Sequence, residues 1–288
     1  MRVLVTGATG FVASHLVPAL VSRGHSVLQL GHDGARIPEV DGAEPLLLDL
    51  SRPFDPDALP EAEAVVHLAQ ANVPFPAGAA QLFSVNAAST AGLLEYARGR
   101  GVSRFILASS ASVYGFGDRT FGEDDPPRAR DFYSATKLAS ERFVAAYSEQ
   151  LGATIFRFVA PYGPGQRDRL IPTLVERVRE ARPITLNDGG RPRTNPIYVD
   201  DVVHAIFAAL ESPRGLVNVA GDEAVTIRDI GELIGQILGL EPVYERAEGG
   251  ATGDLVTDNR RMHQLLGLGA LVPLAEGIRA TALAGAPA

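Results

Sequence analysis

The 288-residue chain contains no cysteine. Disulfides, thiol nucleophiles and cysteine-ligated metals are therefore excluded, and a cytoplasmic setting is expected. It also lacks any apolar run long enough to span a bilayer. Met1 is followed within one residue by an apolar run, so no signal peptide is expected. Positive charge is in deficit: 34 acidic residues against 26 basic ones give a net charge of −8. Such a balance speaks against binding the phosphate backbone of nucleic acid. The six histidines are scattered without ligand-like pairing, and no metal is expected. There is no internal repeat and no low-complexity stretch. What the chain does have is apolar content, 46 %, enough for the core of one large α/β domain or a domain and a half.

Lysine is nearly absent as well. Of the 26 basic residues 25 are arginine, and the exception is Lys137, in the run Tyr133-Ser134-Ala135-Thr136-Lys137. Residues four apart share one face of a helix, which brings the ammonium towards the phenol. Arginine is a broad planar fork that stays protonated, whereas lysine is compact and can approach a pair of hydroxyls. A cation there favours phenolate, so the Tyr133 pKa is expected below its usual value of about 10.

The amino terminus carries the second signal. Arg2–Thr6 is a short, branched, apolar run of the kind found in strands buried on both faces. It leads into Gly7-Ala8-Thr9-Gly10-Phe11-Val12-Ala13 and then into a helical pattern that ends near Gly24. Strand, glycine turn and helix in that order let the backbone approach a pyrophosphate, which the helix amino terminus then holds. Small Ala13 permits close packing of helix on strand, and Pro18 predicts a kink.

A third segment completes a pattern. Phe105–Ala108 is apolar and runs into Ser109-Ser110-Ala111-Ser112-Val113-Tyr114-Gly115. The three segments together resemble the extended short-chain dehydrogenase/reductases, the group that contains nucleotide-sugar epimerases and dehydratases. The resemblance continues through His67-Leu68-Ala69, Asn86, Arg157, Tyr162–Gly165, Tyr198-Val199-Asp200-Asp201 and Asp258. It implies a Rossmann-type doubly wound parallel sheet with a smaller, partly discontinuous carboxyl-terminal substrate lobe. The cofactor domain would comprise residues 1–163 and about 196–220, the lobe about 164–195 and 221–288.

By that resemblance Tyr133 is the acid/base, Lys137 holds the nicotinamide ribose, and Ser110 bonds the same substrate oxygen as Tyr133. Ser112 and Arg193 are further substrate contacts, Arg193 matching an arginine that meets ligand phosphate. Cofactor contacts are expected from Gly7, Thr9, Gly10, Phe11 and Val12 at the first turn, and from Asp49 and Leu50 near the adenine. Leu68, Ala69 and Gln70 follow the fourth strand, with Asn86, Ser109, Phe158 and Ala160 beyond. Asn86 either supports its helix or relays water.

The cofactor is NAD or NADP. Family members that use NAD carry an acid at the end of the second strand for the ribose 2′-hydroxyl. Gly31 stands there, followed by His32 and Asp33. A glycine leaves room for a 2′-phosphate that Arg36 or His32 would meet, which tilts the expectation towards NADP unless Asp33 swings in. The substrate is a small molecule. Ser110–Tyr114 has the epimerase form and lacks the Asp-Glu pair of the 4,6-dehydratases. Two departures weaken a nucleotide pocket: Ala160 replaces a common Asn, and Gly253-Asp254 is preceded by Gly249-Gly250-Ala251-Thr252 without the usual arginine. Three readings stand: an epimerase working through a keto intermediate, a ketoreductase or dehydrogenase on a small non-nucleotide or modified sugar substrate, and a non-catalytic cofactor sensor. Epimerase leads.

Alternating patterns place strands near 2–6, 27–30, 45–48, 64–67, 104–108, 154–158, 184–186 and 216–219. Helices fall near 11–23, 81–99, 131–150, 168–181, 200–211 and 226–238. The resemblance also implies a homodimer through helices 81–99 and 131–150, with Phe143, Tyr147, Leu93 and Tyr96 suggesting a second apolar stripe.

Overall fold

The structure, a computed structural model, describes residues 1–32, 36–246 and 253–284. Asp33 and the run 249–252, both weighed in the sequence, lie outside the described residues. Strands β1 (Arg2–Thr6), β2 (Ser26–Gly31), β3 (Ala43–Leu47), β4 (Ala64–His67) and β5 (Arg104–Ser110) form most of one sheet. A two-residue β6 (Thr120–Phe121) lies apart from it, before β7 (Gly152–Phe158). Next come β8 (Ile184–Leu186), β9 (Arg193–Thr194) and β10 (Gly215–Val219), then β11 (Val225–Thr226), β12 (Tyr244–Arg246) and β13 (Val256–Thr257). The sheet has seven strands in the order β10-β7-β5-β4-β1-β2-β3, all parallel. The order reverses at β1, which pairs with β2 on one side and β4 on the other. In such a sheet the crevice for a ligand opens at the carboxyl ends of these central strands.

The helices are α1 (Phe11–Ser22), α2 (Ala79–Phe83), α3 (Ser89–Arg100), α4 (Phe132–Ala146), α5 (Leu170–Arg179), α6 (Val199–Glu211), α7 (Ile227–Leu238), α8 (Arg260–Leu266) and α9 (Leu274–Leu283). Side chains alternate across β1 and so feed two cores. Val3 and Val5 pack with α1 and α6 residues such as Leu16, Leu20, Val202 and Ile206. Leu4 faces the other way, among Leu93, Leu94, Tyr96, Phe105 and Val144 of α3, β5 and α4. Each such side chain withdrawn from water contributes roughly 1.5–3 kcal/mol. A third cluster joins α5, α7 and α9 outside the sheet through Tyr162, Ile171, Leu174, Ile230, Ile234 and Ile278.

Three expectations need correction. The helix expected over 81–99 is two helices joined by a wide π turn, Ser84–Ala88. The extra residue in that turn lets Asn86 reach sideways: its amide oxygen accepts from Ala71 N at 2.7 Å, and its nitrogen donates to Ala71 O and to Thr136 Oγ1. The stripe assigned to a partner is half core, since Leu93 and Tyr96 are buried in the chain itself. Pro18 leaves α1 unbroken, because it sits on the exposed face, where the carbonyl it deprives has water at hand.

Candidate active site

Gly7 ends β1 with φ +70°, and a Cβ there would stand 2.8 Å from the Ala69 backbone nitrogen. Only glycine allows β1 and the segment after β4 to come this close. The contact is tied by polar groups: Ala69 N donates to Thr6 Oγ1, and Thr6 Oγ1 meets His67 Nδ1 at 2.7 Å. His67 is buried, and desolvation with the charge of Lys137 pushes its pKa down to about 3, so the imidazole is neutral and structural. Gly10 N donates back to Gly7 O, and Gly10 caps α1 without a side chain. The first N–H groups of α1 therefore lack internal partners and remain available to an anion. Ala13, buried against the sheet, takes the third small position.

These groups border a cavity of about 1190 Å³. Gly7, Thr9, Gly10, Phe11, Val12, Gly31, His32, Asp49, Leu50, Leu68, Ala69, Gln70, Ser109, Ser110, Tyr133, Phe158 and Ala160 all line it. Residues scattered over 150 positions thus meet in one cleft. Five expected site residues do not line it: Arg36, Asn86, Ser112, Lys137 and Arg193. Asn86 braces the π turn. Ser112 stands behind Ser110, accepting its hydroxyl hydrogen at 2.9 Å. The Arg193 guanidinium reaches the Ala224 carbonyl, at 3.5 Å, while its backbone N–H is held by Asp254. Asp254 also takes both ends of the Arg191 fork, so the late Gly-Asp pair anchors chain segments to one another. Gly31 corrects the reasoning about the 2′-phosphate: a Cβ there would meet Ile37 Cγ1 at 2.8 Å, so the room below it is already filled. Asp49 is engaged in a turn, accepting from Ser51 N and Oγ.

Tyr133 enters the cavity from the first turn of α4. That turn is fixed by reciprocal bonds: Ser134 N donates to Asp131 Oδ1 and Asp131 N to Ser134 Oγ. The phenol donates to Gln70 Oε1 at 3.0 Å. Its pKa runs opposite to the sequence expectation, being pushed up to about 12 by burial. The Ser110 hydrogen bond and the Arg169 charge pull it down, but by less than desolvation raises it. Lys137, one turn along, is 2 % exposed, and burial pushes its own pKa down to about 8 while Glu141 opposes. A lysine whose folded pKa is depressed destabilises the fold below that pKa, and the penalty fades as pH rises towards the unfolded value of about 10.4. Lys137→Met is therefore expected to raise stability at pH 7 and to lose that advantage between about pH 8 and 10. Denaturant midpoints across this range check it; a gain that grows with pH contradicts it.

Sequence reasoning missed Glu141, although it lies four residues after Lys137, the same spacing that links Lys137 to Tyr133. Glu141 accepts from Ser109 Oγ at 2.5 Å and from Arg157 Nε and Nη2 at 2.9 and 2.6 Å. Ser109 and Arg157 are neighbours in register on β5 and β7, so this buried knot fastens α4 to the sheet. Also missed were Asn72, Gln81, Gln166, Arg167 and Arg169, which line the same cavity as Tyr133. Ala160, also lining the cavity, has φ +38°. Asn tolerates that left-handed backbone better than Ala, so local geometry favours Asn here before any ligand does.

A sequence model described as the NAD dependent epimerase/dehydratase family matches residues 3–220. The chain belongs to that family. Among relatives, a probable UDP-glucuronate 4-epimerase of Rhizobium meliloti is 29 % identical over 78 % of this chain and 73 % of its own length. A 3-diazoavenalumate denitrifying reductase of a Streptomyces species is 34 % identical over 77 % of each. Among solved structures, MoeE5 in complex with UDP-glucuronic acid and NAD superposes with a TM-score of 0.88 at 30 % identity, covering 99 % of this chain and 98 % of that one. This member of the epimerase/dehydratase family is an enzyme that binds NAD(P). The cleft fits such a group on its own evidence: a glycine cradle that a Cβ would fill, and an uncapped helix amino terminus above it. Among the described residues no helix is long and apolar enough to cross a membrane, and no group of three or more His, Cys, Asp or Glu is placed to hold a metal ion.

Proposed function

We propose that the chain is a nucleotide-sugar epimerase that uses NAD, with Tyr133 as acid/base. The observation carrying this is that Tyr133 and Ser110 line the same cavity as the pyrophosphate cradle, with Lys137 buried one turn behind. A nicotinamide dinucleotide held there supplies the hydride acceptor and donor. Tyr133 exchanges a proton with the substrate hydroxyl, and Ser110 orients that oxygen. Gln70 accepts from the phenol and hands that place to substrate. Lys137, buried one turn behind Tyr133 and off the cavity wall, has to turn its ammonium outward to hold the ribose hydroxyls, the role this reading gives it. NAD rather than NADP is favoured because Ile37 fills the space at Gly31 and Arg36 does not line the cavity. The solved relative with NAD supports the same choice. In this reading residues 1–163 with 196–220 hold cofactor, and 164–195 with 221–288 close over substrate.

A reductase reading is favoured by Arg193, which does not line the cavity where a nucleotide phosphate would need it. One experiment separates the two. Protein purified without additions is denatured, and the released cofactor is identified chromatographically. Retained NAD, with UDP-sugar interconversion that consumes none, supports the epimerase; stoichiometric loss of NAD(P)H with a ketone supports the reductase.

We also propose a twofold dimer about α3 and α4, where Phe143 and, beyond the π turn, Phe83 are left 37 % and 55 % exposed. Light scattering at micromolar concentration should give twice the 30.4 kDa chain mass, and Phe143→Glu should lower it. A monomer mass for the unaltered chain overturns this.

A further inference from the structure

The hydroxyls of Ser109, Ser110 and Tyr133 line the cavity, and each already donates its hydrogen to the protein. The Tyr133 phenol donates to Gln70 Oε1 at 3.0 Å. Ser110 Oγ donates to Ser112 Oγ at 2.9 Å and accepts from Ser112 N at 3.2 Å, capping the short turn Ala111–Tyr114. Ser109 Oγ donates to Glu141. A hydroxyl has one hydrogen and two lone pairs, so Tyr133 and Ser110 are left with lone pairs alone to offer a ligand. Burial pushes the phenol pKa up to about 12, which keeps its hydrogen in place at neutral pH.

The contact between Gln70 and Tyr133 is built into the backbone. Ala71, next to Gln70, is gripped at its N–H and at its carbonyl by the Asn86 amide, at 2.7 and 3.1 Å. The same amide donates to Thr136 Oγ1, which donates to the Tyr133 carbonyl at 2.7 Å. One buried asparagine therefore ties together the two chain segments that carry the glutamine and the phenol.

A substrate hydroxyl brings its own hydrogen and donates it to these lone pairs, displacing nothing. A ketone has lone pairs only, so it has to draw a hydrogen away from Gln70 or from Ser112. We propose that Gln70, supported by Ser112, makes this a site for the hydroxyl form of the substrate and discriminates against the corresponding ketone. Ser112 does not line the cavity and acts through Ser110, so it is a positioning residue. The inference deepens the epimerase reading and rests on it. An epimerase takes in and releases alcohols, whereas a reductase has to admit a ketone.

The test uses UDP-6-deoxyglucose and UDP-4-keto-6-deoxyglucose, which differ in the oxidation of a single carbon. Calorimetric titrations are run with NADH present for the alcohol and NAD for the ketone, so that neither reacts. The unaltered protein is expected to bind the alcohol more tightly. Gln70→Met keeps the length of the side chain and removes the carbonyl acceptor. It should tighten the ketone by roughly three- to tenfold, the effect of one hydrogen bond, and shift the alcohol by less than about twofold. Ser112→Ala frees the Ser110 hydrogen and should act in the same direction; it carries the test if Gln70→Met does not fold. An unchanged ketone affinity overturns the inference. So does an equal change for both ligands, or a preference of the unaltered protein for the ketone. If neither nucleotide sugar binds, the epimerase reading fails, and cyclohexanol and cyclohexanone take their place, read by saturation-transfer NMR. Cyclohexanone gaining on cyclohexanol in Gln70→Met sustains the inference; an unchanged ratio, or no binding, overturns it.

Discussion

Tyr133→Phe should reduce turnover by roughly a thousandfold and leave cofactor retention close to that of the unaltered protein. The substitution keeps the ring that α4 presents to the cleft and removes only the hydroxyl now bonded to Gln70. No second phenol takes its place. Tyr162 also borders the cavity, but burial and nearby acids hold its ionisation even further out of reach, and its hydroxyl is aimed at the Leu274 carbonyl. Steady-state rates alongside cofactor content measured after denaturation check both halves. Activity above a few per cent would show that the proton travels by another route, through Ser110 or water.

The largest effect on stability should come from Glu141→Ala. It leaves the Arg157 guanidinium buried without its carboxylate and Ser109 without its acceptor. Side-chain exposure at this pair is 4 % and 5 %, so solvent does little to screen the orphaned charge. Removing one partner of a buried ion pair costs about 3–5 kcal/mol. The double variant Glu141→Ala/Arg157→Met should recover most of that loss, because the uncompensated charge leaves with the arginine. Denaturant midpoints of the single and double variants measure both. A loss below about 1 kcal/mol for the single variant would mean that water reaches the pair.

Where the chain repeats a pattern over several residues, that pattern was legible without coordinates. Buried parallel strands are continuous apolar runs, which is why Arg2–Thr6, Ala64–His67 and Arg104–Ser110 fell where expected. The Tyr133 and Lys137 spacing and the glycines at 7 and 10 were legible for the same reason, being local geometry written in local sequence. What depends on distant neighbours was not. The pairs β6–β13 and β9–β11 are two residues long and carry no period; tertiary contacts alone make them strands. The room at Gly31 was misjudged because the Ile37 side chain occupies it. The Tyr133 pKa went wrong because a sequence shows the neighbouring charge but not the burial that outweighs it. Arg169 escaped notice among 25 arginines, since nothing in its immediate sequence distinguishes a cavity-lining cation from a solvated one.

Reagents that acylate amines see this protein in an unusual way. Its one side-chain amine lies within the fold at 2 % exposure, and the α-amino group of Met1 is the other amine on the chain. An amine-directed label on the folded protein should therefore stop at one per chain, fixed at the first residue. A second label marks chains that have opened around α4. Opening returns Lys137 to water and to the reactivity of any exposed lysine, so label stoichiometry becomes a clock for local opening of α4.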